Sequence, residues 1–547
     1  MAMKKVDMII IVPPAGFKNS VYPPYGAMYI ASALRKSGYN PAILNVDTER
    51  ISNAEVIERV RELDPDNIGL SGIVAPSYRY LKELSLELKR AFPGKVQIMG
   101  GGLSSAADPV LKNTAVDIVV RGEGDATIIE LMDCLARKGD IKSVRGIHIR
   151  ESDRCLFTGN RGLIGKLDDL PYPAFDLIDM DRYLPDGIEF MRKFTKDIDG
   201  DFAAGAGRGR RMITIPTSRG CFGECSFCFR AYPGIRVNSM KYVFDFIEYC
   251  IEKYDVGYFT FGDECFAPSR ARNWEFIEEY KKRKMNFVFR ILGMRVDTVD
   301  KDVLKAYRDI NCWMIEYGFE SGSQKMLNVI NKRATVEQNR NAALWTHEAG
   351  IYTSPALVLG MPGETEETIG ETIEFLKSLR FNYKQYQWKY ALPIPGSALY
   401  DFAKLAGAIE DEDEYLSSLT GRIENGGVFH INLTDQPDDA VGRWDGKLRR
   451  ELDNYYLEMT YRNIFLGKIA RFLKTLDMHI RRRSLGKAIV RRMERRPRDR
   501  ETGPRFRKRP GVSIEALLKG IDCSVPNKEA SLKSINKRMN EEVTAGR

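Results

Sequence analysis

Three cysteines fall within eight residues, in the fragment Arg219-Gly220-Cys221-Phe222-Gly223-Glu224-Cys225-Ser226-Phe227-Cys228. Thiolates spaced CxxxCxxC can wrap a compact soft-metal site. A four-iron cluster takes four ligands, so three local thiolates leave one iron open to an exogenous ligand. Zinc is the competing occupant, but a structural zinc site takes four closed ligands. None of the four histidines, His148, His347, His430 and His479, lies near in sequence to supply the fourth. Reduced free thiols are the third reading of the spacing. The other six cysteines, Cys134, Cys155, Cys250, Cys265, Cys312 and Cys523, stand far apart and read as small buried hydrophobes. Nine cysteines in 547 residues are too sparse for a disulfide scaffold.

The elements that must position this loop are legible as periodicity. The triad follows directly on a predicted strand, Met212–Thr217, and so occupies that strand's carboxyl end. Further strands are expected at Tyr258–Phe261, Phe287–Arg290, Trp313–Tyr317, Pro355–Leu359 and Gln385–Tyr390. Helical segments separate them at Val243–Tyr254, Trp274–Arg283, Val336–Ala349 and Glu366–Leu379. About six βα units suit a partial (βα)6 barrel better than a closed eightfold one. Upstream, strands are expected at Met8–Val12, Ala42–Val46, Asn67–Ile73, Val96–Met99, Asp117–Arg121 and Gly146–Ile149. Helix-period segments at Gly26–Lys36, Ala54–Leu63, Tyr78–Ala91 and Ala126–Lys138 alternate with them. That α/β pattern predicts a doubly wound, Rossmann-like, mostly parallel sheet. Ligands of such sheets bind beyond the strands' carboxyl ends. Pro13-Pro14, Ser71-Gly72, Gly100-Gly101-Gly102 and Gly122-Glu123-Gly124 stand there, and glycines let a ligand approach the backbone.

The expected organisation is a first domain over 1–155, a proline-punctuated linker over 156–205, a barrel over 206–405 and a mainly helical, basic region over 406–547. Beyond Tyr400 the β signals disappear, and a helix is expected from about Asn454 to Met493. Residues 441–547 hold 28 Lys/Arg against 13 Asp/Glu, whereas the preceding 440 hold 56 against 62. The net charge of +9 therefore belongs to the tail, and the rest is no polyanion binder. The apolar fraction of 43% and charged fraction of 29% are those of a globular protein. No run approaches a 20-residue apolar span and no signal peptide is evident, so the expected compartment is the cytoplasm.

The CxxxCxxC loop after a first barrel strand, with aromatic Phe227 before the last cysteine, resembles the signature of the radical S-adenosylmethionine superfamily. The resemblance implies a 4Fe-4S cluster on Cys221, Cys225 and Cys228. Gly262-Asp263-Glu264 is similar to the motif holding the amino group of S-adenosylmethionine, with Asp263 replacing the usual glycine. Arg290 and Arg295 stand where the family places a cation for the methionine carboxylate. Gly318-Phe319-Glu320-Ser321-Gly322 resembles the segment near the ribose. Gly360-Met361-Pro362-Gly363-Glu364 resembles the loop closing on adenine. A zwitterionic methionine needs such an acceptor and such a cation.

The resemblance extends upstream. Val12-Pro13-Pro14, Pro23-Pro24-Tyr25-Gly26, Gly100-Gly101-Gly102 and Arg121-Gly122-Glu123-Gly124 are similar to the cobalamin-binding domain of class B members of that superfamily. This implies Pro14, Ser71, Gly72, Gly100, Gly101 and Glu123 as cobalamin-binding residues. The Asp-x-His-x-x-Gly motif is missing and no histidine precedes His148, so the implied corrinoid lacks a histidine ligand. The implied activity is cleavage of S-adenosylmethionine to a 5′-deoxyadenosyl radical and cobalamin-dependent methylation of an unactivated carbon. An alternative is oxidative cyclisation or rearrangement with the same cofactors. A methylthiotransferase is set aside, because only Cys134 and Cys155 are available upstream for a second cluster. The implied partners are a small-molecule, lipid or peptide substrate and a one-electron donor such as flavodoxin or ferredoxin. The basic tail, with the aromatic-basic stretch Tyr461–Ile480, offers a peripheral membrane contact and an RNA-binding alternative, nucleic acid being the less favoured.

Overall fold

The computed structural model describes residues 5–14, 22–72, 77–152, 154–195, 209–230, 233–381, 386–420, 423, 426–460 and 504–512. The first sheet has seven strands: β1 (Met8–Val12), β2 (Pro41–Asn45), β3 (Asn67–Ser71), β4 (Val96–Gly100), β5 (Ile118–Val120), β6 (Ile147–Glu151) and β7 (Arg154–Phe157). Their order is β2-β1-β3-β4-β5-β6-β7. The first five are parallel, and β6–β7 form an antiparallel hairpin on the edge. Every residue of β1 is buried, as a central strand covered on both faces requires. The strand order reverses between β1 and β3, which opens a crevice at their carboxyl ends.

The second sheet holds β8 (Arg211–Ile215) as one edge. A short antiparallel ribbon of β9 (Ser218–Gly220) and β10 (Ile235–Val237) follows it. Then come β11 (Val256–Phe261), β12 (Val288–Met294), β13 (Cys312–Glu320), β14 (Tyr352–Leu359) and β15 (Gln387–Tyr390). The six strands run β15-β14-β13-β12-β11-β8, all parallel. This is the expected open half-barrel. Its packed core is aromatic: Phe244, Phe261, Phe276, Phe289 and Tyr307 are fully buried and meet mostly edge to face.

Three expectations need correction. Of the stretch 156–205, read as a linker, the described part, 156–195, builds both units: β7 reaches Phe157, and the helix Gly187–Thr195 sits at the amino end of the half-barrel. There Gly187 packs on the Tyr258 ring, where any Cβ would collide. Beyond Tyr400, β16 (Ile431–Asn432) and β17 (Phe506–Arg507) pair in parallel; two-residue strands carry too little periodicity to be read from sequence. The C-terminal helix starts earlier than Asn454, at Ala440, and runs to Thr460. It buries Trp444, Leu448 and Leu452 along the helix Glu366–Ser378. Most of the basic tail, including Tyr461–Ile480, lies outside the described residues. The part at Arg505–Arg509 folds back: Arg505 meets Glu414 at 2.8 Å, Arg509 meets Glu410 at 2.7 Å, and Lys508 pairs with Asp435. No helix of the described residues is long and apolar enough to cross a membrane.

His430 illustrates how the returning segment is held. Its ring is 2% exposed, lies 2.7 Å from Ser418 Oγ through Nε2, and packs edge-on to Phe506. Burial first, then Arg505, pushes the imidazole down to about 4. Burial first, then Arg121, does the same to His148. The unfolded chain takes up these protons near pH 6.5, so stability is full above that value and falls as pH drops toward 4. Each histidine is expected to lose about 2 kcal/mol by pH 5. Urea unfolding at pH 7 and pH 5 should show it, and His430→Gln should flatten about half of the slope.

Candidate active site

The ribbon β9–β10 closes the loop that carries the three cysteines, so they hang just beyond the carboxyl end of β8. Backbone bonds fix the loop from outside: Ser226 N donates to Ile330 O at 2.9 Å, and Leu399 N donates to Ser226 O at 2.8 Å. Gly223 N donates to Cys221 Sγ at 3.3 Å. Cys265 brings its thiol into hydrogen-bonding contact with Cys221, and Cys225 with Cys228. The Cys265 bond first, then Gly223, Arg295 and Lys332, lower the Cys221 thiol to about 6. The Cys228 bond and Lys332 lower Cys225 to about 7. The Cys225 bond first, then burial, push Cys228 up instead, so Cys221 and Cys225 are the readier thiolates of the three. Among the described residues, no three His, Cys, Asp or Glu side chains converge closely enough to share one metal ion. A zinc ion needs that tight convergence, whereas a four-iron cube takes one thiolate per iron. The donor set fits the cluster.

The other residues expected at S-adenosylmethionine separate into distinct places. Glu264 is solvent-exposed at the end of β11. The surrounding protein, then Cys221 and Asp263, raise its carboxyl to about 7. Asp263 does not face the same space. Its oxygens accept from Thr217 N at 2.7 Å, Thr217 Oγ1 at 3.1 Å and Ser218 Oγ at 2.6 Å, so it ties β11 to the strand end that launches the cysteine loop. Gly262 stands against Thr214 and Tyr22. Arg295 lies beside the cysteine loop, stacked 4.7 Å over Phe222 and paired in a fork with Asp297 at 2.9 Å. Arg290 points elsewhere, donating to Thr260 Oγ1 at 2.8 Å and lying 4.4 Å from the Phe190 ring of the helix Gly187–Thr195. Only Arg295 is at the loop. Ser321 Oγ contacts Thr372 Oγ1 at 3.1 Å, and Phe227 is half-buried in the core.

Gly360 has φ +85°, which favours glycine, and the Met361 side chain is buried. Glu364, buried and raised to about 8, accepts from Gly360 N at 2.5 Å. A neutral carboxyl there is closely mimicked by glutamine. Glu364→Ala is expected to release the Gly360–Met361 turn and weaken S-adenosylmethionine binding roughly tenfold, the worth of one buried hydrogen bond. Glu364→Gln should bind as the parent does; equilibrium binding to reconstituted protein compares them.

Between the two sheets lies a cavity of about 340 Å³. Ser71, Gly100, Gly101 and Glu123 line it from the first sheet, Tyr25, Tyr29 and Ile30 from the first helix, and Pro216, Arg219 and Tyr242 from the barrel side. Pro14 and Gly72 do not line it. Gly72 instead donates to Gly100 O at 2.8 Å and shapes the neighbouring turn. Glu123 reaches the cavity wall, but its carboxylate is taken by Arg219 at 2.8 Å and Arg236 at 2.6 Å. The apolar trough between sheet and helices, with open glycine backbone at its rim, fits part of a corrinoid. His148 stacks on Phe157 and registers with Val119, on the opposite face from cavity-lining Val120. It is no ligand for that cavity.

Sequence reasoning missed four groups. Cys265 and Lys332 stand at the cysteine loop only through tertiary packing. Asp125 forks Arg219 at 2.8 and 3.2 Å. Tyr242 closes the cavity from the barrel side. The usable signal was Arg219, a charge two residues before the first cysteine.

The chain matches two family profiles: "B12 binding domain" over residues 19–132 and "Radical SAM superfamily" over residues 215–376. It is 26% identical over 412 residues to the uncharacterized methyltransferase PH0819 of Pyrococcus horikoshii, covering 73% of this chain and 84% of that protein. It is 28% identical over 390 residues to the anaerobic magnesium-protoporphyrin IX monomethyl ester cyclase of Rubrivivax gelatinosus, covering 69% and 66%. Its fold resembles that of the radical S-adenosylmethionine methyltransferase TsrM of Kitasatospora setae, solved with cobalamin and a 4Fe-4S cluster. The TM-score is 0.60 at 15% identity, covering 82% of this chain and 89% of that one.

Proposed function

We propose that this enzyme, in which a B12-binding domain precedes a radical SAM domain, transfers a methyl group from a corrinoid to an unactivated carbon of its substrate. The observation that carries this reading is the cavity itself. It lies at the ligand-binding edge of the first sheet, and Arg219, two residues before Cys221, forms part of its wall. Bound here, the cluster and S-adenosylmethionine supply one-electron chemistry and the corrinoid supplies methyl transfer. The residues then divide the work. Cys221, Cys225 and Cys228 would hold the cluster and leave one iron open. Glu264 would accept the methionine ammonium once ionised, and Arg295 would pair with the carboxylate. Ser71, Gly100 and Gly101 would admit the corrinoid to the backbone. Tyr25, Tyr29 and Tyr242 wall the cavity and would shield a corrinoid bound there from water. A one-electron donor would supply the electron that a cluster held on this loop needs.

A second reading, oxidative cyclisation with the same cofactors, is supported by the similarity to the magnesium-protoporphyrin cyclase. Methyl-labelled S-adenosylmethionine separates the two. A methylase is expected to place the label in product and a cyclase to leave product unlabelled, read by mass spectrometry of anaerobic reactions.

A further inference from the structure

A turn over residues 330–333, between the helices Gln324–Val329 and Val336–Glu348, is wrapped around the cysteine loop. Ile330 O accepts from Ser226 N at 2.9 Å, and Asn331 Nδ2 donates to Glu224 O at 3.1 Å. Arg333 pairs with the Glu224 carboxylate, while Arg295 Nη2 reaches the Lys332 and Arg333 carbonyls at 3.4 Å. Asn331 and Arg333 both have φ +53°, a left-handed conformation that non-glycine residues rarely hold without such support. The effect of the turn is to aim the one side chain between them, Lys332, inward. Its ammonium is nearly buried, 2.8 Å from Glu320 Oε1, and among the charges acting on Cys221, Cys225 and Cys228. Glu320 is itself at φ +62°, and any side chain at Gly318 would run into this ion pair. A non-glycine residue in the left-handed region, a glycine kept clear and two strained turn residues are all spent on holding one lysine and one glutamate at this place.

We propose that Lys332, fixed by Glu320, is a positioning residue that sets the reduction potential of the cluster on Cys221, Cys225 and Cys228. The inference rests on the radical SAM reading of the cysteine loop. Reduction adds an electron to a centre already ringed by thiolates, and a buried cation beside them favours the reduced state. Burial alone would drive the ammonium to release its proton; the Glu320 carboxylate and the Cys225 and Cys228 thiolates together oppose that, so the lysine keeps its charge without Glu320. Arg295 is the other cation acting on the Cys221 and Cys225 thiols, and its Nε and Nη2 are already engaged by Asp297, which leaves Nη1. Lys332 and Glu320 therefore act on the cluster with opposite signs.

The test is an EPR-monitored redox titration of the anaerobically reconstituted full-length protein, before S-adenosylmethionine is added. Iron content and the EPR signal of the parent check the cluster reading independently of the potential. Lys332→Met is expected to make reduction at least tenfold less favourable, about 59 mV lower for one electron. Glu320→Gln is expected to raise the potential, and Lys332→Arg to keep it near the parent's. Glu320→Gln keeps the test decisive if Lys332→Met fails to retain iron. Unchanged potentials, or shifts of the same sign in the lysine and glutamate variants, would overturn the proposal, because a merely structural clamp has no reason to invert the sign.

Discussion

Cys225→Ala is expected to yield a folded chain that retains neither cluster nor turnover. Cys225 is 6% exposed, and its loop is pinned by backbone bonds from Ile330 and Leu399 that involve no sulfur. Removing one thiol therefore takes a ligand from a three-ligand site without dismantling the loop. A large-to-small change at a small side chain costs little packing beside the loss of a metal ligand. Iron per chain after anaerobic reconstitution should fall to background while far-ultraviolet circular dichroism stays unchanged. Cys265→Ala makes the contrast: Cys265 also touches Cys221, yet iron loading should survive. A Cys225→Ala protein with full iron content and turnover would sink the cluster assignment.

Arg219→Met is expected to give the largest loss of stability of any single change near the site. Arg219 pairs with both Glu123 and Asp125, and the three side chains are 18%, 4% and 7% exposed. It also lies 5.1 Å over the Tyr29 ring. Removing one member of a buried ion network leaves the others uncompensated and costs about 3–5 kcal/mol. Glu123 retains Arg236 at 2.6 Å, so the stranded charge is Asp125. The companion change Asp125→Asn is therefore expected to recover much of the loss, and the double-mutant cycle measures the coupling. Corrinoid retention should fall with the single variant, because the network forms one wall of the cavity. Equal stability of Arg219→Met and the parent in urea unfolding would show that the network does not join the domains energetically.

Much of this was legible along the chain, and the reasons are local. A parallel strand buried on both faces shows as a run such as Met8-Ile9-Ile10-Ile11-Val12, and the helices between strands repeat every three or four residues. The half-barrel therefore emerged with its six strands in order. Gly187–Thr195 was read as part of a linker because Pro171, Pro173 and Pro185 punctuate the approach to it and nine residues, though amphipathic, are few. Their helical role depends on the open barrel end at which they sit. The short β16–β17 pair spans more than seventy residues of sequence and leaves no local pattern at all.

The same division holds within the site. By itself the sequence determined the spacing of Cys221, Cys225 and Cys228, their place after a strand and the glycines at the first sheet's edge, because each is a property of neighbours along the chain. Tertiary structure alone decided which of two arginines stands at the cysteine loop, that Asp263 serves the scaffold and that Glu123 closes on Arg219. It also decided that Lys332 and Cys265 enter the thiolates' surroundings. Charges and thiols act through space over a few ångströms, and partners such as Glu123 and Arg219 are 96 residues apart in the chain. Only packing brings them within that range.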